Sequence, residues 1–239
     1  MIRLVALDAD DTLWHNEPLF TDTQARFSAL LSRHTDPEVI EQRLSETEIR
    51  NLQHYGYGVK AFTLSMVETA IELTGGKVTG EEVAEIVRMG REMLHAPVDL
   101  LDGVGEAVRE LSESHDLMIV TKGDLLDQET KIERSGLRDR FRWVEVVSRK
   151  DALIYQRILA RCAVNPDRFL MVGDSIRSDI LPVLEIGSAA VHIPHDDPWQ
   201  HEVVDVGEDL RGRYVELPSI RDLADAVRGG IGRGRDPSG

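Results

Sequence analysis

Two aspartates separated by one position, Asp8 and Asp10, are the first residues in the chain that could do chemistry. They follow the short apolar run Leu4–Leu7, which is typical of a buried strand, and Thr12 stands two positions further on. Carboxylates are costly to bring near a core unless they are paired or bind a metal. The same spacing also occurs in turns and helix caps. As a chemical site, it would place two carboxylates around one reacting atom.

A hydroxyl at the end of a second apolar run gives another candidate. Residues 117–120 are apolar and are followed by Thr121, Lys122 and Gly123. A hydroxyl beside free backbone N–H groups at a strand-to-helix turn can bind an anion. A threonine that only caps the following helix would give the same pattern. This signal therefore has weight only together with the others.

Two basic residues, Arg149 and Lys150, precede the helix predicted at 152–163. The helix dipole disfavours a cation at this end of a helix, so a lysine here either faces solvent or has a specific partner. Lys150 is the candidate for neutralising an anion at the site. Arg149 competes with it for the same role.

A second pair of acids follows the apolar run 169–172. It reads Gly173-Asp174-Ser175, with Asp179 at the start of the next predicted helix. Oxygen ligands of this kind suit Mg²⁺. The alternative is that Asp174 starts a turn and Asp179 supports the first helical turn. Because this is a third strand end with polar residues, the sequence favours a functional site.

The elements that must position these residues alternate along the chain. Apolar strands alternating with amphipathic helices indicate a doubly wound parallel sheet of the α/β class, covered on both faces. If the strand before Asp8 lies between those ending at Thr121 and Asp174, all three ends meet at the edge where such sheets bind ligands. The predicted strands are 4–7, 117–120, 144–147, 169–172, 189–193 and 214–217, and the predicted helices of this part are 105–112, 124–135, 152–163, 178–185 and 220–227.

Residues 15–97 interrupt the alternation. They predict four successive helices, at 21–33, 37–52, 59–73 and 80–94, separated by turns that contain Pro or Gly. The insert is far longer than a crossover between strands needs. We therefore expect an α/β core formed by residues 1–14 and 98–228, a helical cap at 15–97 and a flexible tail at 229–239.

Composition limits the partners of the chain. Its 239 residues are 41% hydrophobic and 30% charged, as in ordinary globular proteins. The net charge of −15 repels nucleic acids and anionic membranes, so we expect neither as a partner. The single cysteine, Cys162, and the lack of a leader pattern predict a cytoplasmic protein. We expect a monomer or a homodimer.

In this order, Asp8-x-Asp10-x-Thr12, Thr121, Lys150 and Gly173-Asp174-Ser175-x-x-x-Asp179 resemble the motifs of the haloacid dehalogenase superfamily of hydrolases. The helical insert resembles the first type of cap in that superfamily. The resemblance extends to about residue 228. It implies a Rossmann-like core and Mg²⁺-dependent phosphatase chemistry.

The resemblance implies a role for each matching residue. Asp8 is the nucleophile that forms an aspartyl-phosphate, and Asp10 protonates the leaving oxygen and then activates water. Thr12 helps to hold Asp10. The other implied roles are phosphate binding by Thr121 and Lys150, Mg²⁺ ligation by Asp8, the backbone carbonyl of Asp10 and Asp174, and support by Ser175 and Asp179, the latter holding a metal-bound water or Lys150.

The chain departs from the family pattern at Lys122, where members often carry Asn. The Lys122 side chain either points away from the phosphate site, so that only its backbone binds the phosphate, or adds a cation to that site. Lys122 is therefore kept as a phosphate-binding candidate. The candidates for substrate specificity are His15, after the first motif, and Tyr57 and Lys60 in a loop of the cap. Linker and packing roles explain these three residues equally well.

The predicted function is hydrolysis of a small phosphorylated metabolite through an aspartyl-phosphate on Asp8. Asp10 argues against a dehalogenase, since the corresponding position of those enzymes is not an acid. One alternative is a phosphomutase, which returns the phosphoryl group to another hydroxyl. The other is a non-catalytic protein that binds a phosphorylated ligand, although such a protein has no use for an acid/base at Asp10.

Overall fold

The computed structural model describes residues 1–195, 199, 202, 204, 207 and 212–231. Residues 232–239 of the predicted tail lie outside this part of the chain. In the described residues, one sheet contains β1 Leu4–Leu7, β2 Asp116–Lys122, β3 Trp143–Val147, β4 Phe169–Gly173, β5 Ala189–His192 and β6 Val215–Glu216.

The strand order is β3-β2-β1-β4-β5-β6, so β1 is central. It pairs in parallel with β2, where Leu7 lies opposite Ile119, and with β4, where Leu7 lies opposite Val172. The pairs β4–β5 and β5–β6 are also parallel. The predicted central position of the first strand is therefore confirmed, and the carboxyl ends of β1, β2 and β4 share one edge.

The chain divides into two compact units. The α/β unit contains Met1–Glu17, Val98–Thr121 and the described residues from Ile132 onward, whereas the helical unit contains Pro18–Pro97 and Lys122–Lys131. No helix in the described part of the chain combines the length and apolar character needed to cross a membrane. The helices are α1 Glu17–Leu31, α2 Pro37–Tyr55, α3 Val59–Leu73, α4 Gly80–His95, α5 Val104–Ser112, α6 Leu125–Arg134, α7 Ala152–Cys162, α8 Leu181–Glu185 and α9 Leu223–Gly229.

Successive residues of the central strand pack on opposite faces of the sheet, as the pleat requires. Val5 and Leu7 join a core that includes buried residues of α5 and α9. Leu4 and Ala6 join a second core with residues of α7 and α8. Because both faces are covered, every position of β1 is apolar and buried. This arrangement confirms the predicted doubly wound α/β class.

The helical unit has its own core, formed by residues such as Phe27, Leu44, Met66 and Ile86. Helix α4 begins with a capping box, in which the Thr79 side chain accepts from the Glu82 N–H and the Glu82 carboxylate accepts from the Thr79 N–H at 2.8 Å.

The buried Glu82 carboxylate also joins this cap to the end of α1. Its Oε1 lies 2.8 Å from His34 Nε2 and 2.7 Å from Arg33. The backbone N–H of Thr79, together with His34, the Thr79 hydroxyl and Arg33, lowers the pKa of Glu82 to about 2. The anionic form of Glu82 therefore stabilises the helical unit.

Replacing Glu82 by Gln should lower the free energy of unfolding by about 1–2 kcal/mol at pH 7, because Gln can cap the helix but cannot pair with Arg33 and His34. The Glu82 pKa is depressed on folding, so its contribution is present above pH 4.5, the ordinary value, and declines as the pH falls toward about 2. Urea unfolding at several pH values measures both effects.

The matched control is Glu81→Gln, since Glu81 is an exposed residue in the same helical turn. It should change the free energy of unfolding by less than ~0.5 kcal/mol. If the two variants lost equal free energies of unfolding, the interaction of a carboxylate with the helix dipole, and not the contacts of Glu82, would account for the stabilisation.

Candidate active site

Asp8 directly follows β1, and its N–H donates to the carbonyl of Val172 at 2.9 Å, which extends the pairing with β4 by one residue. Its side chain is largely buried. Oδ1 accepts a hydrogen bond from the N–H of Ala9 at 2.7 Å and lies 2.6 Å from Nζ of Lys150. Both contacts use Oδ1, so Oδ2 is the oxygen that can face a reacting atom.

The Lys150 side chain is completely buried between two aspartates. Its ammonium lies 2.6 Å from Asp8 and 2.6 Å from Oδ1 of Asp179. Burial alone lowers the pKa of Lys150, but the carboxylates of Asp179 and Asp8 outweigh burial and raise it. Arg149, by contrast, is exposed and lies 3.7 Å from Asp151. Lys150 rather than Arg149 therefore supplies the cation next to Asp8.

Asp179 reaches this cluster from a π-helical turn, Ile176–Ile180, which follows β4. Its Oδ1 accepts from Lys150, and its Oδ2 accepts from the N–H of Ser175 at 3.2 Å. Gly173 gives the carboxylate its space, because a Cβ at this position would collide with the Asp179 side chain. The motif therefore needs glycine at 173 for steric reasons that the sequence alone did not reveal.

The structure places Thr12 differently from the expectation that it holds Asp10. Its hydroxyl donates to Oδ1 of Asp174 at 3.1 Å. The chain turns sharply after β1, with the N–H groups of Thr12 and Leu13 both directed at the carbonyl of Ala9. This turn brings Thr12 to the residue that follows β4. Thr12 thus supports an expected metal ligand rather than the expected acid/base.

Asp10 is instead held by a residue to which the sequence analysis gave no role. The indole N–H of Trp14 donates to Oδ1 of Asp10 at 2.7 Å, and the Trp14 side chain is almost completely buried. A sequence signal did exist: a tryptophan four residues after an acid, in a segment too short for a helix, needs a partner for its N–H.

Ser175 stabilises the turn that carries Asp174 and Asp179. Its Oγ accepts from the N–H of Ser178 at 3.1 Å and donates to the carboxylate of Glu202. The hydroxyl of Ser178 donates to the same carboxylate at 2.6 Å. Glu202 was also missed by the sequence analysis, because it lies 27 residues beyond Ser175.

Thr121 is buried at the end of β2, two positions beyond Ile119, which pairs with Leu7 of β1. The predicted phosphate-binding hydroxyl therefore stands at the same edge of the sheet as Asp8.

Three of the four remaining candidates contact other side chains. Within the helical unit, the ammonium of Lys122 lies 4.2 Å from the ring centroid of Tyr57, a cation–π contact. Lys60 pairs with Oδ1 of Asp124 at 2.7 Å. His15, in the α/β unit, is exposed. The side chain of Lys122 thus contacts an aromatic ring.

The carboxylates fit a divalent cation. Oxygens of Asp8, Asp174 and Asp179 all lie within 4.8 Å of one another. Burial raises the pKa of Asp8 and of Asp174, and the neighbouring carboxylates raise both further. Lys150 offers one positive charge against three carboxylates. Since the oxygens of Asp179 are engaged by Lys150 and Ser175, Asp8 and Asp174 are the carboxylates best placed to hold a hard cation such as Mg²⁺.

The sequence and the fold were compared with known proteins. The sequence profile of haloacid dehalogenase-like hydrolases matches residues 2–187. The solved structure of a haloacid dehalogenase-like family hydrolase from Xanthomonas campestris is 41% identical, with a TM-score of 0.85 over 95% of this chain and 91% of that one. A search of curated proteins gave no match.

Two more distant structures share the fold. A phosphatase of the same superfamily from Thermococcus onnurineus is 21% identical over 95% of this chain and 99% of its own, with a TM-score of 0.64. An L-2-haloacid dehalogenase from Xanthobacter autotrophicus, with chloropropionic acid covalently bound, is 16% identical over 97% and 100%, with a TM-score of 0.64. The same fold therefore occurs in a phosphatase and in a haloacid dehalogenase. The match over residues 2–187 and the 41% identity to the Xanthomonas protein show that this chain is an enzyme of the haloacid dehalogenase-like hydrolase family.

Proposed function

We propose that this hydrolase removes the phosphoryl group from a small phosphomonoester through a covalent intermediate on Asp8. The observation that supports the proposal is the contact pattern of two nearby carboxylates. Asp8 is held at one oxygen by the Lys150 ammonium, whereas Asp10 is held at one oxygen by a neutral indole N–H. A nucleophile must be anionic, and an acid/base must gain and lose a proton, so the two environments suit the two roles.

In the first step, Oδ2 of Asp8 attacks phosphorus and the bond between phosphorus and the alcohol oxygen breaks. The departing oxygen takes a proton from Asp10, so that a neutral alcohol leaves. In the second step, Asp10 removes a proton from a water molecule that attacks phosphorus. The bond between Asp8 and phosphorus then breaks, and inorganic phosphate leaves with Asp10 protonated again.

The other residues of the cluster orient the nucleophile and balance charge. Lys150 fixes Oδ1 of Asp8, and Asp179 fixes Lys150 from the opposite side. Mg²⁺ would be held by Asp8, Asp174 and the backbone carbonyl of Asp10, where it supplies positive charge that offsets the repulsion between a carboxylate and a phosphate. Thr121, near the end of β2, would bind a phosphoryl oxygen.

Asp10 separates this proposal from dehalogenation. A halide is a stable anion and leaves without a proton, so a dehalogenase has no need of an acid at this position. The likeness to the Xanthobacter dehalogenase, at 16% identity, concerns the fold and does not favour that reaction here. Small soluble metabolites are the proposed substrate class, because the net charge of −15 disfavours polyanionic partners.

The first prediction of the proposed function concerns the reaction itself. With Mg²⁺, the protein should release inorganic phosphate from several members of a panel of phosphorylated metabolites and from p-nitrophenyl phosphate, and EDTA should abolish release. Incubation with L-2-chloropropionate should give no chloride. Chloride release without phosphate release would identify a dehalogenase, whereas phosphoryl transfer between metabolites without free phosphate would identify a mutase.

The second prediction concerns the nucleophile. Asp8→Asn should lower kcat by at least about a thousandfold, because an amide cannot form the covalent intermediate. The control is Asp167→Asn, an exposed aspartate that precedes β4 at the opposite edge of the sheet, which should retain wild-type activity. Activity of Asp8→Asn close to that of the control would contradict the assignment, provided that the circular dichroism spectra of the two variants agree.

The third prediction concerns the metal. Asp174→Asn should raise the Mg²⁺ concentration needed for half-maximal phosphate release by at least about tenfold, since it removes one of two anionic ligands. Asp167→Asn again serves as the control. An unchanged Mg²⁺ titration in the Asp174 variant would exclude this residue as a ligand.

A further inference from the structure

We infer that Trp14 is a positioning residue for leaving-group protonation: its indole N–H holds Oδ1 of Asp10 and thereby fixes the orientation of this carboxylate toward the departing oxygen. The inference rests on the proposed role of Asp10 as acid/base. The inference also names a substrate class, the phosphate esters of poorly acidic alcohols, because only these esters need a protonated leaving group.

The hydrogen bond between these residues has one possible polarity. The indole Nε1 is a donor only, and a carboxylate oxygen at 2.7 Å must therefore accept from it. Hydrogen bonds to a charged acceptor are short and strong. Because Oδ1 is engaged in this way, the rotation of the Asp10 carboxylate is fixed relative to the indole.

The indole is itself held firmly. Trp14 is 1% exposed and lies in the core on the α5 face of the sheet. Its carbonyl accepts from the N–H of Asp11 at 2.8 Å, and its backbone forms an antiparallel bridge with Leu100. The indole therefore cannot turn away from Asp10 without disturbing the core.

The short loop between the two residues is also fixed. Asp11 adopts a φ of 58°, in the left-handed region that non-glycine residues rarely enter. Its carboxylate compensates by accepting from the N–H groups of Asn16 and Glu17 at 2.9 and 3.0 Å. This loop brings Trp14 back to Asp10, so the backbone conformation itself holds these two residues, four positions apart, in contact.

A purely structural explanation of the hydrogen bond between Trp14 and Asp10 is that Asp10 only provides an acceptor for a buried indole N–H. The two explanations differ in how a loss of the N–H affects different substrates. An alkoxide leaves poorly unless it is protonated, whereas p-nitrophenolate is a stable anion that needs no proton. If Trp14 positions Asp10 for protonation, its loss should affect alkyl phosphates selectively.

The test is Trp14→Phe, which keeps an aromatic ring but removes the donor. The quantity to compare is kcat/KM, because it reports the steps up to departure of the alcohol and excludes hydrolysis of the intermediate, which is common to all substrates. For the alkyl phosphate that the wild-type protein hydrolyses best, kcat/KM should fall at least about tenfold further than for p-nitrophenyl phosphate. Asp10→Asn should show the same selectivity, more strongly.

Trp143→Phe is the matched control, since Trp143 lies in β3 with its ring 4.4 Å from the Arg142 guanidinium. It should leave the ratio of the two kcat/KM values unchanged. If Trp14→Phe does not fold, 3-benzothienylalanine at position 14 replaces the N–H by sulfur in a ring of nearly the same shape and should give the same selective loss.

Equal losses on both substrates, or no loss, in the folded variant would show that the N–H has only a structural role and would overturn the inference. That result leaves the proposed phosphatase function intact. By contrast, a wild-type protein that releases no phosphate from any substrate would overturn the proposed function and this inference together.

Discussion

The ammonium of Lys150 is completely buried and lies 2.6 Å from carboxylate oxygens of both Asp8 and Asp179. Charges removed from water must be paired, and loss of one partner leaves an uncompensated charge that costs about 3–5 kcal/mol. This requirement explains features that lie outside the ion pairs themselves. The π-helical turn after β4 carries Asp179 to the lysine, and Gly173 must lack a Cβ because that carboxylate occupies the space. Tyr155, also buried, donates to the carbonyl of Ser178 and supports the same turn.

The three charged residues come from distant parts of the chain, so the sheet must bring them together. Asp8 follows β1, Lys150 precedes α7 and Asp179 follows β4. With β1 between β2 and β4, the residues that follow these strands meet at one edge, as in other open parallel sheets. The strand order thereby also sets the electrostatics of the site. The carboxylates at this edge exceed the positive charge of Lys150, and burial together with that excess raises the pKa values of Asp8 and Asp174.

The sequence predicted all six strands and the helix α3 within a residue or two, because buried strands and amphipathic helices have strong periodic patterns. It failed where a distant side chain decides the local structure. Helix α1 begins at Glu17, four residues before the predicted start at 21, because the carboxylate of Asp11 caps it from six positions away. The segment predicted as one helix at 178–185 is a π-helical turn followed by α8, which fits the need to place Asp179. The motifs predicted Asp8, Asp10 and Lys150 as site candidates, but their spacing could not show that Thr12 contacts Asp174.

The different contacts of Asp8 and Asp10 are consistent with the different roles proposed for these two aspartates. Asp8 continues the pairing of β1, so its direction is fixed by the sheet. The cation at Oδ1 opposes the effect of burial, which raises the pKa of Asp8, and so favours the anion that the proposed nucleophile requires. Asp10 lies beyond the strand, in the loop that turns after β1, and its Oδ1 accepts from the indole N–H of a residue in the hydrophobic core. The different contacts therefore follow from where the strand ends: Asp8, the last residue paired with the sheet, meets the buried lysine, and Asp10, two residues further on, meets the indole.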